Sequence, residues 1–230
     1  MNRTLPLPPR FGWHAFDVGS ALPDGWQLEL RSMAAEAAIE RDLVPTSVTS
    51  REAADVERVA ALTVTGSAVS QRAPWLDALY HGWFRSLAEC AFAVPVFAAE
   101  GSDYGINLNI QREAMRYEAH IDSNPVGALL YVTTHAPGEG GELAVSNRGD
   151  ITGVAEIERD ASRIHPVAGQ LVLFEARRYA HYVAPLRKPR AERIVVAMNY
   201  YTAVAPESAR PRDLSEHLFG IDNEKEALQA

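Results

Sequence analysis

The spacing of apolar residues along the chain changes near residue 105, and the two parts predict different structure. Before this point apolar residues recur three or four positions apart, as they do in amphipathic helices. One helix is predicted over 24–44 and another over 73–92. The stripes that define them are Leu30, Met33, Ala34 and Ala37 in the first helix, and Trp75, Leu79, Trp83 and Leu87 in the second. We therefore expect the first hundred residues to be helical.

From Gly105 onward, short stretches of strand-like pattern are separated by turn residues such as Asn124–Pro125. Strands are predicted over 107–111, 117–122, 128–134, 143–146, 170–174, 181–184 and 193–201. Short strands at this spacing, without intervening helices, indicate an antiparallel sandwich or barrel. A linker over 206–211 leads into a predicted helix over 213–219 that ends at Gly220, and the last ten residues are expected to fray. The predicted fold class is mainly β with flanking helices, or α+β.

Composition and charge exclude several classes of function. The 230 residues are 47% hydrophobic and 23% charged, which is ordinary for one globular domain. The formal net charge is −8 without a long basic run, so a general nucleic-acid binder is not expected. The single cysteine, Cys90, excludes an intramolecular disulfide and any multi-cysteine metal site. Histidine and carboxylate remain as the available metal ligands.

Signals for secretion or membrane insertion are not found in the sequence. Prolines occupy the N-terminal segment where a signal peptide would have its apolar core. The longest apolar run, Cys90–Ala99, contains Pro95 and is far shorter than the ~20 residues that span a bilayer. We expect a cytoplasmic protein without a membrane partner.

Two potential metal ligands lie close together in the strand-rich part. His120 and Asp122 are two residues apart, and on a strand such residues point to the same side. His181, on a later strand, would be the third ligand. Two histidines and one carboxylate are the ligand set of non-heme Fe(II) oxygenases. The spacing alone is a weak motif, because His120 could be a hydrogen-bonded sheet histidine and Asp122 a turn residue before Asn124.

The surroundings of these residues carry a more specific pattern. The segments RYEAHIDSNP, ALLYVTT, GEGGELAVSN, GQLVLFEARRYAH, HYVAP and RIVVAMNYY follow one another in order. Together they resemble the iron(II)- and 2-oxoglutarate-dependent dioxygenases, in particular the prolyl-hydroxylase-like branch, over about residues 105–202. The resemblance implies a double-stranded β-helix (jelly-roll, cupin-like) core at 105–202. Residues 1–104 would buttress this core with helices, and 203–230 would complete a single domain, 1–230.

The resemblance also implies which residues hold 2-oxoglutarate. The cosubstrate chelates iron through its keto oxygen and C1 carboxylate, while a fixed cation holds its C5 carboxylate deeper in the barrel. A guanidinium and a tyrosine hydroxyl suit that carboxylate, and Arg193 and Tyr131 match the family positions. Arg193 lies twelve residues after His181, slightly more than prolyl hydroxylases usually show, whereas Arg190 lies nine after it. We favour Arg193, because it opens a strand while Arg190 follows Pro189 in a turn.

Two further residues are candidate cosubstrate contacts. Asn107, Asn109 and Gln111 share one face of a predicted strand. If that face looks into the barrel, Asn109 could donate to the C1 carboxylate; otherwise the face is solvated. Tyr117 could line the cosubstrate pocket or pack in the core.

The reaction that the resemblance implies is oxidative decarboxylation of 2-oxoglutarate by O2, with succinate and CO2 as products. The accompanying oxidant abstracts hydrogen from an unactivated C–H, and hydroxylation is the default outcome. Related halogenases have a small residue at the carboxylate position, so Asp122 argues against halogenation. The metal ligands do not separate hydroxylation from desaturation, epoxidation or ring formation.

Candidate substrate contacts are Arg116, Asn124 and Arg178, which adjoin the predicted site segments. An arginine there could bind a substrate carboxylate, which favours a small molecule such as an amino acid or a specialised metabolite. The alternatives are a surface role for each arginine and a turn-shaping role for Asn124. Two other functions stay open: a prolyl-hydroxylase-like enzyme that acts on a peptide or protein residue, and a non-catalytic sensor barrel. The apolar helix faces could also serve a homodimer.

Overall fold

The computed structural model describes residues 12–43, 48–52, 56, 59–149, 151 and 153–219. The strands are β1 Trp13–Asp17, β2 Ile39–Leu43, β3 Val59–Val64, β4 Phe97–Ala98, β5 Ile106–Gln111, β6 Val126–Tyr131, β7 Leu143–Ser146, β8 Ala161–Ile164, β9 Gln170–Glu175, β10 His181–Val183 and β11 Arg193–Tyr201. The α-helices are α1 Trp26–Ala37, α2 Gly66–Arg72, α3 Pro74–His81, α4 Trp83–Phe92, α5 Ser102–Gly105, α6 Val154–Arg159 and α7 Leu214–Phe219. Short 3-10 turns lie at Gly19–Ala21 and Glu207–Ala209.

Two antiparallel sheets form the body of the protein. The large sheet has the order β1-β9-β6-β11-β5-β3-β2, and β4 adds to one end of β11. The small sheet has the order β10-β7-β8. Apolar residues of both sheets pack in one cluster, with Leu143 and Val145 from the small sheet against Val172 and Val195 from the large one. The two sheets therefore face each other, and the expectation of a mainly antiparallel β fold with helices is confirmed.

The other face of the large sheet is covered by helices. Leu30 of α1 and Leu76 of α3 pack in the main core with Leu108 of β5 and Val196 of β11. Because β11 is covered on both faces, its residues are apolar on both sides of the strand, which explains the run RIVVAMNYY. The helices thus buttress the sheet from outside, on the side away from the small sheet.

The expectation that the first hundred residues are helical is wrong in part. Strands β1, β2 and β3 belong to this region and extend the large sheet. The helix predicted over 24–44 stops at Ala37, because Ala38 adopts an extended conformation and the chain continues into β2. Pairing with β3 determines this strand, and that long-range contact leaves no mark in the local pattern.

The helix predicted over 73–92 is also divided in the structure. It forms α3 and α4, which meet at Gly82, where the backbone has φ −110° and ψ −100°. The predicted apolar face is only partly buried, since Tyr80 and Phe84 beside the predicted stripe lie in the main core, whereas Trp83 of that stripe is 39% exposed. A glycine within the apolar repeat is the signal that marked the break.

Most strands predicted after residue 105 are present, and β11 has the predicted bounds. The predicted strand over 117–122 is not formed; only His120 makes an isolated bridge there. Helix α6 and strand β8 were not predicted, so the expectation of no intervening helix is wrong. The C-terminal helix begins at Leu214, whereas Gly220 and the last ten residues lie outside the described residues. Across the described ranges, no helix combines the length and hydropathy needed to cross a membrane.

The loop between β6 and β7 depends on glycine at one position. Gly140 has φ +83°, and a Cβ there would lie 2.0 Å from the Pro185 carbonyl oxygen. Gly138 in the same loop has φ +95°, but a Cβ there would have nothing within 4 Å. Both glycines have left-handed backbone, but only at position 140 would an added Cβ meet another atom.

We expect Gly140→Ala to destabilise the protein more than Gly138→Ala. The left-handed conformation costs about 1 kcal/mol for alanine at either site. The clash with the Pro185 carbonyl adds roughly 2 kcal/mol or more at position 140 alone. Urea unfolding of both variants measures the difference. Equal free energies of unfolding for the two variants would contradict the assigned role of this contact.

Candidate metal centre and cosubstrate pocket

Two histidines face each other across an isolated antiparallel bridge. The backbone N–H of His120 donates to the carbonyl of His181 at 2.9 Å, and the reverse bond is also 2.9 Å. Directly opposed residues of an antiparallel pair point their side chains to the same face. The two imidazole centroids lie 4.4 Å apart as a result.

The carboxylate of Asp122 lies against both rings. Its Oδ1 is 3.2 Å from Nε2 of His120, and its Oδ2 is 3.6 Å from Nε2 of His181. A hydrogen bond of 3.0 Å from the backbone N–H of Asp122 to the carbonyl oxygen of Ala176 holds the backbone of Asp122 in place. One ligand atom from each of the three residues lies within 4.8 Å of the other two, which is a spacing that one metal ion can bridge.

Both imidazoles are oriented by backbone carbonyls. Nδ1 of His120 lies 2.8 Å from the carbonyl oxygen of Glu118, and Nδ1 of His181 lies 3.0 Å from that of Tyr179. A carbonyl only accepts, so each Nδ1 carries the proton and donates it. The lone pair of each neutral ring is then on Nε2, which points towards Asp122. This arrangement prepares two nitrogen ligands and one oxygen ligand for a cation.

The electrostatics of the triad reflect burial and close contact. Burial opposes the charged form of His120, but the hydrogen bond and charge of Asp122 outweigh it and raise the pKa to about 9. Burial and the neighbouring His120 lower the pKa of His181 to about 4. For Asp122, burial is outweighed by the hydrogen bond from His120 and the two imidazoles, so its pKa lies below the ordinary value. Asp122 is thus an anion beside a His120 ring that stays protonated in the metal-free protein, and a divalent cation would have to displace the proton on Nε2 to bind there.

The triad opens into a cavity between the two sheets. Residues of both sheets line this cavity: Asn107, Asn109, Gln111, Leu129, Arg193 and Val195 from the large sheet, and Leu143, His181 and Val183 from the small one. Phe174 of β9 also lines it, with its ring edge-on to His181 at a centroid distance of 5.2 Å.

A group of buried polar atoms without hydrogen-bond partners lies in and beside this cavity. Arg193 is 2% exposed, and its Nε and Nη2 have no partner among the described residues. The Tyr131 hydroxyl and both polar side-chain atoms of Gln111 are likewise unpartnered within the described chain. Gln111 is directly opposite Arg193 across β5 and β11, and the Arg193 Cζ lies 5.4 Å from the Tyr131 ring centroid. Burial lowers the pKa of Arg193, and Tyr131 and Glu142 only partly oppose this effect, so the protein holds the cation at a cost.

Comparison with known proteins connects the strand-rich part of the chain with one family. The sequence signature of the 2OG-Fe(II) oxygenase superfamily matches residues 106–201. The predicted relationship to the 2OG-Fe(II) oxygenases is confirmed over these residues. Iron(II) and 2-oxoglutarate are the cofactor and cosubstrate of this family, as expected from the sequence. No curated protein matches the chain in sequence.

Several solved structures resemble this chain in fold. An oxidoreductase of the 2OG-Fe(II) oxygenase family from Burkholderia pseudomallei is 13% identical, covering 86% of this chain and 89% of that one, with a TM-score of 0.59. AviO1 from Streptomyces viridochromogenes is 16% identical, covering 86% and 92%, with a TM-score of 0.60. The alpha ketoglutarate dependent epimerase SnoN from nogalamycin biosynthesis is 16% identical, covering 84% and 80%, with a TM-score of 0.58. The predicted double-stranded β-helix fold is confirmed, with the two sheets not joined into a closed barrel.

The other predicted cosubstrate residues of the oxygenase lie on the same cavity. The polar face of β5 looks into the cavity rather than into solvent, so Asn109 lines it, and the hydroxyl of Thr63 donates to its Oδ1 at 3.1 Å. Tyr117 also lines the cavity, with its ring edge-on to His120 at 5.4 Å. The alternative arginine, Arg190, is exposed in a turn at φ +58° and does not reach this cavity.

The three predicted substrate contacts have different placements. Arg116 lines the cavity, but both its terminal nitrogens bind Glu52, at 2.7 and 2.6 Å. Asn124 also lines the cavity, and its side-chain amide donates to the carbonyl of Val126 at 2.9 Å, which is the turn-shaping geometry. Arg178 is exposed beside the Tyr179 ring and is not part of the cavity wall.

Sequence reasoning missed several residues around this site. Glu52 and Glu118 are buried acids that hold the segment leading to His120, and His217 on α7 binds Glu118. Gln111 was predicted to share a strand face with Asn109, which is the face that lines the cavity, but no role was predicted for it. The alternation of polar and apolar residues along β5 is the one sequence feature that pointed to Gln111. The acids are indistinguishable in sequence from surface carboxylates, because their partners are distant along the chain.

We expect the oxygenase to bind one divalent metal ion at this triad. His120→Ala, Asp122→Ala and His181→Ala should each abolish stoichiometric cobalt(II) binding, because each removes one of three ligand atoms. Visible absorption titration measures binding, and circular dichroism checks the fold. His81→Ala, at a half-exposed residue outside the cavity, is the control and should bind cobalt as the unaltered protein does. Unchanged cobalt binding in any triad variant would contradict the site.

Proposed function

We propose that this oxygenase hydroxylates an unactivated C–H bond of a small molecule, using iron(II) held by His120, Asp122 and His181. The observation that carries the proposal is the buried, unpaired guanidinium of Arg193 on the same cavity as the triad. A metal-binding set at one end and an anion-binding group at the other suit a dicarboxylate that must bind at both. With iron(II) bound, 2-oxoglutarate and O2 supply the oxidant that attacks the C–H bond.

The triad residues suit iron(II) by donor type and by orientation. Two Nε2 atoms and one carboxylate would hold the ion and would leave coordination positions open for other ligands. The Nδ1–H bonds to the carbonyls of Glu118 and Tyr179 hold both rings in the ligating tautomer. Asp122 supplies negative charge that partly balances the cation. These residues therefore bind and orient the metal, and the protein leaves room beside it for cosubstrate and substrate.

Arg193 is suited to bind the C5 carboxylate of 2-oxoglutarate. Its Nε–H and Nη2–H can donate two parallel bonds to a carboxylate, which is the strong bidentate geometry. The Tyr131 hydroxyl and the Gln111 amide add two more potential donors that lack partners in the described protein. A carboxylate with two oxygens accepts about four such bonds. Binding would thus satisfy donors that the free protein leaves unsatisfied, which favours a fully ionised ligand at this place.

The wall of the cavity supports a substrate with a large apolar surface. Beyond the triad it includes Leu43, Ile121, Met198 and Leu218 together with the polar side chains of Ser123, Asn199 and Tyr201. Arg116 is already neutralised by Glu52, which removes it as a clamp for a substrate carboxylate. These features favour a specialised metabolite with few charges over a free amino acid. They favour contact with the substrate through dispersion and a few hydrogen bonds.

Arg193→Ala should weaken the binding of 2-oxoglutarate much more than Arg190→Ala does. The first change removes the buried donors, whereas the second removes an exposed side chain outside the cavity. We expect the KM for 2-oxoglutarate to rise by about a hundredfold for Arg193→Ala, since a charge-assisted bidentate contact contributes roughly 3 kcal/mol. Arg190→Ala should stay within about twofold. The measurement is succinate formation at varied 2-oxoglutarate. The reverse order would identify Arg190 as the cosubstrate residue.

A succinate-release screen tests the proposed reaction. Purified protein with iron(II), ascorbate and 2-oxoglutarate is incubated with a panel of metabolites and free amino acids. We expect one class to stimulate succinate release, with a product heavier by one oxygen atom, and the apolar metabolites to exceed the amino acids. Product without added oxygen would indicate desaturation or ring formation instead. No succinate with any compound or alone would favour the non-catalytic sensor over an enzyme.

A further inference from the structure

The segment that carries His120 lacks the regular pairing of a strand. His120 forms single bridges to Ser50 and His181, while residues 117–119 belong to no strand. A metal ligand on such a segment needs other restraints, because ladder hydrogen bonds are what hold a strand residue in place. Single backbone bonds supply part of this restraint, such as the one from the Ile121 N–H to the Thr49 carbonyl at 2.9 Å, and side chains supply the rest. On one side, Glu52 accepts a bond of 2.6 Å from the backbone N–H of Ala119.

On the other side, Glu118 links the segment to the C-terminal helix. The Glu118 side chain is 1% exposed, and one oxygen accepts a short hydrogen bond from Nε2 of His217 on α7. Its other oxygen accepts from the Ser50 hydroxyl at 3.2 Å. The backbone carbonyl of the same residue accepts the Nδ1–H of His120 at 2.8 Å. Glu118 therefore connects a residue of α7 to the group that fixes the tautomer of a metal ligand.

Helix α7 also forms part of the cavity wall. Leu214 and Leu218 line the cavity on either side of His217 in sequence. Leu218 packs against the buried cluster that contains Leu43 of β2, and Tyr117 packs against the same cluster. The same six-residue helix thus borders the substrate space and contacts the segment that leads to His120. Its one described buried polar side chain, that of His217, is 2% exposed and faces Glu118.

Building on the proposed function, we propose that His217 is a positioning residue for the iron centre. By holding the Glu118 side chain, His217 fixes the carbonyl that orients His120, and it ties the wall of Leu214 and Leu218 to that ligand. Without the imidazole, the Glu118 carboxylate would be buried with only Ser50 as a described partner, a state that is strongly disfavoured. The segment would also lose its link to α7, whether or not residue 118 carries a charge, so the carbonyl would no longer be held against Nδ1 of His120.

Metal affinity measured on folded variants tests this proposal. His217→Leu removes the donor, whereas His217→Gln places an amide N–H near the position of Nε2. We expect cobalt(II) affinity, followed by visible absorption, to fall at least about tenfold for His217→Leu, the usual size for loss of a residue behind a ligand. His217→Gln should recover it to within about threefold. His135→Leu is the control, since His135 is equally buried, binds the Glu192 carbonyl and lies outside the cavity.

His217→Leu could unfold the protein by leaving a buried charge. The double variant Glu118→Gln with His217→Leu removes that charge and keeps the carbonyl of residue 118, and we expect it to fold with cobalt affinity still reduced. Unaltered affinity in this double variant, or in folded His217→Leu, would overturn the proposal. An equal loss in His135→Leu would also overturn it, because the effect would then be one of general stability. Failure of the unaltered protein to bind cobalt through the triad would instead overturn the proposed function itself.

Discussion

Two backbone hydrogen bonds between His120 and His181 join an otherwise irregular segment to the edge strand of the small sheet. Because the residues are directly opposed, their rings project to one side, and the turn that follows returns Asp122 between them. The carbonyls of Glu118 and Tyr179 then determine which nitrogen of each ring is free. The metal-binding set is thus a consequence of one cross-strand pairing and two local hydrogen bonds.

The distribution of buried charge explains how the rest of the site is arranged. The buried acids Glu52 and Glu118 have specific partners in Arg116 and His217, so they stabilise the segment before the metal ligands. Arg193 is buried as deeply and has two donor nitrogens without a partner in the described chain. The paired charges therefore stabilise the structure, and the two donor nitrogens of Arg193 without partners are the basis of the proposed carboxylate site. The large sheet is covered by helices on one face and by the small sheet on the other, so these charges lie in a buried setting where pairing matters most.

The sequence predicted the core strands well because each has a local signature. Strand β11 has the predicted bounds, since both of its faces are apolar and arginine opens it. Strands β1 to β3 and the positioning of Glu118 were not predictable, because distant partners determine them. The three metal ligands could be predicted, because histidine and carboxylate are typical iron ligands and the surrounding sequence motifs follow in the expected order. The pairing of Arg116 with Glu52 was not, since a charge pair 64 residues apart leaves no periodic pattern.

A crystal structure with manganese(II) and 2-oxoglutarate would test the site directly, because anomalous scattering locates the metal. We expect one anomalous peak bound by Nε2 of His120, Nε2 of His181 and the carboxylate of Asp122. We also expect the C5 carboxylate of 2-oxoglutarate to contact the guanidinium of Arg193. A metal peak away from these three residues, or a cosubstrate whose distal carboxylate binds elsewhere, would contradict the assigned site.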